Sequence, residues 1–197
     1  MSNEVCAIVL AAGQGSRYRA VARNDQHKLL ASCLGLDGVV RPVLEQVLIG
    51  LSGVVDKCLL ITRPDCPEIS RLGLHYGCEV VLLDSPGMGD SIAAAVAAAP
   101  DCRGWLVVLG DMPFILPDTL GKVIDSLQDD CISVPVHQGE RGHPVGFGRM
   151  LGLALMTLAG DQGARRLFKT SRVQLVEVDD PGVLWDVDVP EALIFKP

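Results

Sequence analysis

The feature that most constrains the fold is a regular alternation of short apolar runs with helical stretches. Val5–Leu10 is a continuous apolar run that ends at a glycine-rich segment, and residues 58–61, 80–83 and 105–109 repeat this form. Such runs are typical of strands buried on both faces of a parallel sheet. Helical patterns occupy the intervening residues 42–51, 68–76, 90–99 and 117–127. This order predicts an α/β fold, a three-layer α/β/α Rossmann-like domain with a mostly parallel sheet and right-handed crossovers.

The pattern becomes less regular in the last third of the chain. Residues 132–136 and 173–178 are typical of strands, whereas residues 149–158, 164–169 and 190–195 favour helices. A chain of 197 residues has the length of one domain, and it contains no linker or internal repeat. We therefore expect a single domain over residues 1–197.

Charge and hydropathy exclude several functional classes. The 17 Lys and Arg against 24 Asp and Glu give a net charge of −7, which argues against a general nucleic-acid binder. Mean hydropathy is +0.34, yet no apolar run approaches the roughly 18 residues that span a bilayer, so no membrane partner is expected. The first residues lack the basic region of a secretory signal. Seven scattered cysteines, without a C-x-x-C pair or zinc spacing, indicate reduced thiols and a cytoplasmic protein.

Glycines, hydroxyls, cations and an acid follow the predicted strands at one edge of the sheet. In an open α/β sheet, ligands bind beyond the carboxyl ends of the strands. Residues 11–17 (AAGQGSR) follow the first strand, residues 84–91 (DSPGMGDS) follow the third, and residues 110–113 (GDMP) follow the fourth. Residues of these types commonly bind phosphate groups and metal ions.

The segment after the first strand has the character of a phosphate loop. Gly13 and Gly15 allow a close approach of the backbone to a ligand, and Arg17 and Lys28 would supply charge for a polyphosphate. The alternative is a tight turn with two solvated cations. Tyr18 occupies the position of the third glycine of a G-x-G-x-x-G motif, and no P-loop sequence occurs, so neither motif explains the segment.

Three acids are candidates for a metal site. Asp111 follows a strand and is placed to hold Mg²⁺ against phosphate oxygens, or else it caps the turn before Pro113. Asp186 and Asp188 alternate, so both point to the same side of an extended segment. Asp188 could instead form a capping box with Glu191 at the start of the last helix.

Further anion-binding candidates lie in three places. Residues 87–91 open a helix whose first turn suits an anion, unless Asp90 or Ser85 caps an ordinary N-terminus. His143 lies in a loop, where a histidine is commonly a surface hydrogen-bonding residue. Asp161 to Arg166 is either a helix cap with a solvated basic pair or part of a second anion site.

Taken together, six motifs in order resemble the MobA-like nucleotidyltransferases, closest to the molybdenum cofactor cytidylyltransferase group. They are LAAGQGSR from Leu10, KLL from Lys28, GMGDSI from Gly87, LGDMP from Leu109, RGHPV from Arg141 and GDQGAR from Gly160. The resemblance runs from Val5 to about Ala192. It implies a glycosyltransferase-A type α/β/α fold, as in nucleotide-sugar transferases. It also implies a reaction that depends on Mg²⁺, with Mn²⁺ as an alternative ion, and releases pyrophosphate.

The resemblance also implies roles for individual residues. It assigns nucleotide binding to Ala11, Ala12, Gly13, Gly15, Ser16, Arg17, Lys28, Ser91 and Gly110. It assigns catalysis to Arg17, Lys28 and Asp111, and it makes Asp111 and Asp188 the metal ligands. The acceptor side is assigned to Gly89, His143 and Arg165. The implied partners are a nucleoside triphosphate, with CTP favoured, a molybdopterin-type cofactor, and a molybdoenzyme or its chaperone.

The sequence departs from the family pattern in two segments. Residues 18–27 form a lengthened path to Lys28 that carries Arg19, Arg23 and His27, and Ala192 stands where the family has Asp. Ala12, in place of a glycine, favours the cytidylyl branch over the guanylyl branch.

We therefore expect transfer of CMP from CTP to the phosphate of a molybdopterin-type cofactor. The acceptor phosphate would attack the α-phosphorus in line, a reaction that needs positioning and charge neutralisation. A sugar or polyol phosphate is an alternative acceptor, and a non-catalytic cofactor-binding module is another interpretation. Ser91, Asp111 and His143 also follow the order of an α/β-hydrolase triad, but residues 84–87 separate Ser91 from its strand.

Overall fold

An eight-stranded sheet with helices on both faces forms the centre of the computed structural model, which describes residues 4–22, 27–84 and 87–196. In chain order the strands are β1 (Val5–Leu10), β2 (Ser32–Leu34), β3 (Val40–Pro42), β4 (Lys57–Thr62), β5 (Glu79–Leu82), β6 (Gly104–Leu109), β7 (Cys131–His137), β8 (Glu140–Arg141), β9 (Val145–Gly148) and β10 (Arg172–Glu177). The helices are α1 (Ser16–Ala22), α2 (Val43–Leu51), α3 (Pro67–His75), α4 (Met88–Ala98), α5 (Pro117–Asp125) and α6 (Gly152–Met156).

The sheet is mostly parallel, as predicted. Its order is β10-β7-β9-β6-β1-β4-β5, with β8 paired to β7, and β2 and β3 form a separate antiparallel pair. Strand β9 runs antiparallel to both of its neighbours, and β8 runs antiparallel to β7. Strand β1 lies in the middle, in parallel register with β4 and β6.

The alternating side chains of β1 show why three layers form. Val5, Ala7 and Val9 pack in the same apolar cluster as buried residues of α2, α3 and α5. Cys6 and Ile8 pack on the opposite face with buried residues of α4 and α6. Because both faces of the strand are covered, a continuous apolar run is required, and this run was the sequence signal for the fold. The three-layer α/β/α prediction is confirmed.

Several predicted elements differ in kind or extent. The predicted helix over residues 149–158 is a 3-10 helix, Arg149–Leu151, followed by the short α6. Two other predicted helices are also 3-10 helices, Arg165–Lys169 and Pro190–Leu193. Strand β9 was not predicted because glycines at two of its four positions give it little strand propensity.

The segment between β1 and Lys28 also differs from the expected loop. Helix α1 occupies residues 16–22, and Tyr18 is buried in the core cluster. Arg23, one of the cations assigned to this lengthened segment, lies outside the described residues. Within the described part of the chain, no helix is both long and apolar enough to cross a membrane.

Candidate active site

The glycine turn after β1 lies where three parallel strands end together. The Ala11 amide donates to the Ile61 carbonyl at 2.8 Å, and the Gly110 amide donates to the Leu10 carbonyl at 3.0 Å. Gly15 has φ +60°, and a Cβ there would lie 3.3 Å from Cγ of Lys28. A glycine at this position therefore provides the left-handed conformation and also leaves room for the lysine.

Lys28 is the buried cation of the site. It begins a 3-10 helix, Lys28–Leu30, that is capped by His27, whose Nδ1 accepts from the Leu29 amide at 3.3 Å. The lysine side chain is 11% exposed. Its Nζ donates to Oδ2 of Asp111 at 2.5 Å and to Oδ1 of Asp188 at 3.0 Å. One ammonium thus bridges two carboxylates that are 77 positions apart in the chain.

A backbone contact brings Asp188 to this site. The Val187 amide donates to the Asp111 carbonyl at 2.9 Å, and Arg17 Nη1 donates to Oδ2 of Asp188 at 3.2 Å. The capping box predicted for Asp188 is wrong, because Val189 is the N-cap of the final 3-10 helix and no side chain caps it. The Asp188 carboxylate bonds to two cations instead.

The charged groups of this cluster shift one another's pKa values. Burial acts to lower the pKa of Lys28, but the Asp111 and Asp188 carboxylates outweigh it and raise that pKa. The hydrogen bond from Lys28, with a smaller contribution from Arg17, lowers the pKa of Asp188. Burial and the charges of Asp188 and Asp111 raise the pKa of Asp186. The Lys28 ammonium and the Asp188 carboxylate therefore stabilise each other's charged form.

A cavity of about 370 Å³, here the first cavity, lies over this cluster. Its lining includes seven of the predicted residues: Ala11, Ala12, Gly13, Gly15, Lys28, Ser91 and Asp111. Other predicted nucleotide ligands lie beside it. Arg17 bonds to Asp188, and neither of the two lines the cavity; Ser16 is exposed at the start of α1, and Gly110 is buried. The structure thus brings the glycine turn, the lysine and one acid onto a single wall.

A second cavity of about 340 Å³ adjoins the first and shares Met88, Leu109 and Asp161 with it. His143 and Arg165, predicted on the acceptor side, both line it together with Arg141. The remaining walls are largely apolar: Ile92, Val107, Val134, Val145, Phe147 and Phe168. The guanidinium groups of Arg141 and Arg165 make no hydrogen bond or ion pair within residues 4–22, 27–84 and 87–196. The second cavity therefore combines an apolar surface with positive charge.

His143 is held at the wall of the second cavity by the backbone. Its amide donates to the Val183 carbonyl at 2.9 Å. Its Nδ1 is buried and has no hydrogen-bond partner among the residues that the structure describes. Burial, and to a lesser extent the charge of Arg165, lower the pKa of His143. The imidazole is therefore a neutral, unpartnered polar group beside the cavity, rather than a solvated surface residue.

The start of α4 differs from the sequence expectation. Gly87 is the N-cap, so the alternative in which Asp90 caps this helix is wrong, and Ser85, the other candidate cap, lies outside the described residues. The Ser91 hydroxyl donates to the Gly87 carbonyl at 3.3 Å within the helix. Ser91 is therefore not placed on a strand-to-helix turn like a hydrolase nucleophile. Gly89 packs against Ala159 and lines neither cavity.

Sequence reasoning missed Arg63, and it placed Met88 and Asp161 in candidate segments without giving either one a role in these walls. Arg63 directly follows β4, and its guanidinium pairs with Asp65 at 3.0 Å and Asp84 at 2.9 Å. The rule that ligands bind beyond strand ends could have found it, since Arg63 follows the second apolar run of that sheet. Met88 and Asp161 carry no comparable signal, because their position depends on how distant segments pack.

Comparison with known proteins identifies the family. The model of the MobA-like NTP transferase domain matches residues 7–178. The chain belongs to this family. A nucleotidyltransferase family of this kind argues against the α/β-hydrolase interpretation.

Individual relatives agree with this MobA-like assignment. A nucleotidyl transferase from Methanothermobacter thermautotrophicus, Mth528, superposes with a TM-score of 0.80 at 27% identity, over 97% of this chain and 94% of that one. The bifunctional protein GlmU of Maricaulis maris is 31% identical over 155 residues, which are 77% of this chain. The match covers 32% of GlmU, so this chain corresponds to about a third of that relative.

Enzymes of this fold commonly use divalent metal ions, and a similar structure is the manganese complex of Rv0371c from Mycobacterium tuberculosis. It has a TM-score of 0.73 at 25% identity, over 96% of this chain and 95% of that one. Asp111 and Asp188, which share one ammonium here, are the oxygen donors that such an ion prefers. Within the described residues, no group of three or more His, Cys, Asp or Glu side chains could hold a metal. The pair fits an ion that takes its remaining ligands from phosphates and water.

Proposed function

We propose that this MobA-like enzyme transfers CMP from CTP to the phosphate of a molybdopterin-type cofactor and releases pyrophosphate. The observation that carries the proposal is the pair of adjoining cavities, which share Met88, Leu109 and Asp161. One is lined by a glycine turn, a buried lysine and an acid, and the other by apolar side chains and two guanidinium groups. Two substrates bound in them would meet at the shared wall.

The first cavity is assigned to the nucleoside triphosphate. The backbone at Gly13 and Gly15 would approach the phosphates, and the Lys28 ammonium would neutralise charge on them and on the departing pyrophosphate. Asp111 and Asp188 would hold Mg²⁺ or Mn²⁺, which when bound supplies further charge neutralisation. Of the two acids that alternate in the closing segment, Asp188 is preferred over Asp186 because it shares Lys28 with Asp111.

The second cavity is assigned to the acceptor. Arg141 and Arg165 would attract its phosphate, and the apolar walls would cover its less polar body. A phosphate oxygen of the acceptor would then attack the α-phosphorus in line, and pyrophosphate would leave on the opposite side. Because the reaction requires no covalent enzyme intermediate, holding both substrates in this geometry is the main catalytic contribution of the protein.

A sugar or polyol phosphate remains the second candidate acceptor. The observation that favours it is the same pair of guanidinium groups, which would bind the phosphate of any such acceptor equally well. The molybdoenzyme or chaperone partner, the cytoplasmic location and the single domain over residues 1–197 stay predictions.

The base preference tests the cytidylyl assignment. Ala12 lines the first cavity, and its methyl group narrows space that a glycine would leave, so a pyrimidine should fit better than guanine. We expect CTP to be preferred over GTP by roughly 10- to 200-fold, the range for discrimination by shape. The Ala12→Gly variant is expected to reduce this ratio.

The measurement is competition between CTP and GTP, with molybdopterin cofactor as the acceptor. A thermal-shift panel of CTP, GTP, ATP and UTP, with and without Mg²⁺, checks the ranking without turnover, since stabilisation grows with ligand affinity. Preference for GTP would refute the cytidylyl assignment and leave the nucleotidyltransferase assignment standing. Transfer to sugar phosphates but not to the molybdopterin cofactor would select the second candidate.

A further inference from the structure

One loop separates the two cavities. Residues 159–165 carry Asp161, which lines both cavities, and Arg165, which lines the second. The position of this loop therefore affects the shared wall and the charge offered to the acceptor. What fixes the loop is accordingly relevant to where the acceptor binds.

The loop is joined to the first turn of α4 by two hydrogen bonds. The Gly89 amide donates to the Gly160 carbonyl at 2.8 Å, and the Gly160 amide donates to Oδ2 of Asp90 at 2.8 Å. The two backbones are also in direct contact, since a Cβ on Gly89 would lie 2.8 Å from the Ala159 backbone. The contact therefore has no room for a side chain at position 89. The close packing of the two backbones fixes the distance between the loop and α4.

The Asp90 carboxylate accepts a hydrogen bond from this loop and is not the N-cap of its own helix. Asp90 lies in the first turn of α4, where the helix dipole favours a carboxylate, but the N-cap of the helix is Gly87. Its carboxylate binds a backbone amide 70 residues away in the chain. A hydrogen bond to an ionised carboxylate is stronger than one between neutral groups, so it is suited to holding a loop.

We propose that Asp90 is a positioning residue that holds the loop 159–165 so that Arg165 and Asp161 face the acceptor. The proposal rests on the assignment of the second cavity to the acceptor. It predicts that losing the Asp90 carboxylate weakens acceptor binding while nucleotide binding, which depends on the glycine turn and Lys28, is retained.

Three variants separate this role from a general loss of stability. Asp90→Ala removes the hydrogen-bond acceptor, whereas Asp90→Asn keeps a side-chain oxygen that can accept from Gly160. Asp56→Ala is the matched control, because Oδ2 of Asp56 also accepts from a distant backbone amide, that of Val5, at 3.0 Å. That contact lies at the start of β1, at the opposite end of the strand from the cavities.

Hydrogen exchange at the Gly160 amide is the first measurement and needs no substrate. We expect Asp90→Ala to accelerate it by about 10-fold or more, with the amides of β1 and β6 unchanged, since local opening is independent of global unfolding. Asp90→Asn should keep most of the protection, and Asp56→Ala should not affect this amide. Unchanged protection of Gly160 in Asp90→Ala would overturn the proposal.

Steady-state kinetics with CTP and molybdopterin cofactor is the second measurement. We expect Asp90→Ala to raise the acceptor KM by about 10-fold, with CTP affinity within about twofold, and Asp90→Asn to stay within about threefold of the wild type. Equal acceptor KM in Asp90→Ala and Asp56→Ala, or an Asn variant as impaired as the Ala variant, would overturn the positioning role. If the wild type itself transfers nothing from CTP, the proposed function fails, while the exchange result still decides whether Asp90 anchors the loop.

Discussion

The two cavities differ in how their charges are balanced. In the first, the cations are already paired: Lys28 binds Asp111 and Asp188, and Arg63 binds Asp65 and Asp84. In the second, Arg141 and Arg165 have no ion-pair partner in the part of the chain that the structure describes. Paired charges are held in place, where they can stabilise the charge that develops during a reaction. Guanidinium groups without an ion-pair partner are available to bind an incoming anion. With the substrates assigned as proposed, we expect changes in the first cavity to act on rate and nucleotide affinity, and changes in the second to act mainly on acceptor affinity.

The largest effect is expected for Asp111→Asn in the first cavity. The amide keeps the shape of the side chain but removes the charge that would hold a divalent ion, so the rate should fall by at least about 10²-fold. Nucleotide transfer as a function of Mg²⁺ concentration measures this loss, and thermal unfolding checks that the variant is folded. Asp129→Asn is the control, because Asp129 pairs with Arg149 at the surface. Near-normal Mg²⁺-dependent activity of Asp111→Asn would reduce Asp111 to a structural role.

Lys28→Ala is expected to have the next largest effect. Without the ammonium, Asp111 loses its cationic partner, Asp188 is left with Arg17 and the triphosphate loses a cation, so CTP affinity and rate should each fall by about 10-fold or more. Lys28→Arg should restore only part of the activity, because a planar guanidinium does not replace a compact ammonium. Isothermal titration with CTP and single-turnover rates separate the two losses.

The matched control for this variant is Lys122→Ala, which removes a surface lysine whose Nζ lies 2.7 Å from Asp118. It should leave CTP affinity and rate unchanged. Unchanged kinetics in Lys28→Ala would assign Lys28 to a structural role and remove the basis for placing the triphosphate in the first cavity.

The smallest effect of the three is expected in the second cavity, for Arg165→Ala. Losing one free guanidinium should raise the acceptor KM by about 10-fold, the cost of a charge-assisted hydrogen bond, with CTP affinity unchanged. Arg166→Ala is the adjacent control, since the Arg166 guanidinium donates to the Thr157 carbonyl at 2.7 Å instead of lining a cavity. A loss of CTP affinity in Arg165→Ala, equal to its loss of acceptor affinity, would show that the two cavities do not divide the substrates as proposed.

The sequence predicted the first cavity better than the second, because most residues that line the first cavity lie in or next to predicted strands in the sequence. Residues 11–15 and 110–111 directly follow strands, and strand ends in a parallel sheet meet at one edge, so their meeting could be anticipated. The polar part of the second cavity comes from residues 141–143 and 161–165, which follow none of the predicted strands directly, and the neighbouring strand β9 has weak strand propensity. His143 and Arg165 were singled out as candidates from the residues, but only the family resemblance assigned them to the acceptor side.

By itself, the sequence determined the three-layer fold and the polar edge of its sheet. Short continuous apolar runs are typical of strands covered on both faces, and helical patterns between them favour parallel crossovers. Only the tertiary structure decided what Asp188 and Asp90 do. Local rules assign both to helix caps, but a backbone contact between Val187 and Asp111 turns Asp188 to Lys28, and packing of Gly89 on Ala159 presents Asp90 to Gly160. Hydrogen bonds between groups this distant in the chain depend on where whole segments pack, which local propensity does not encode.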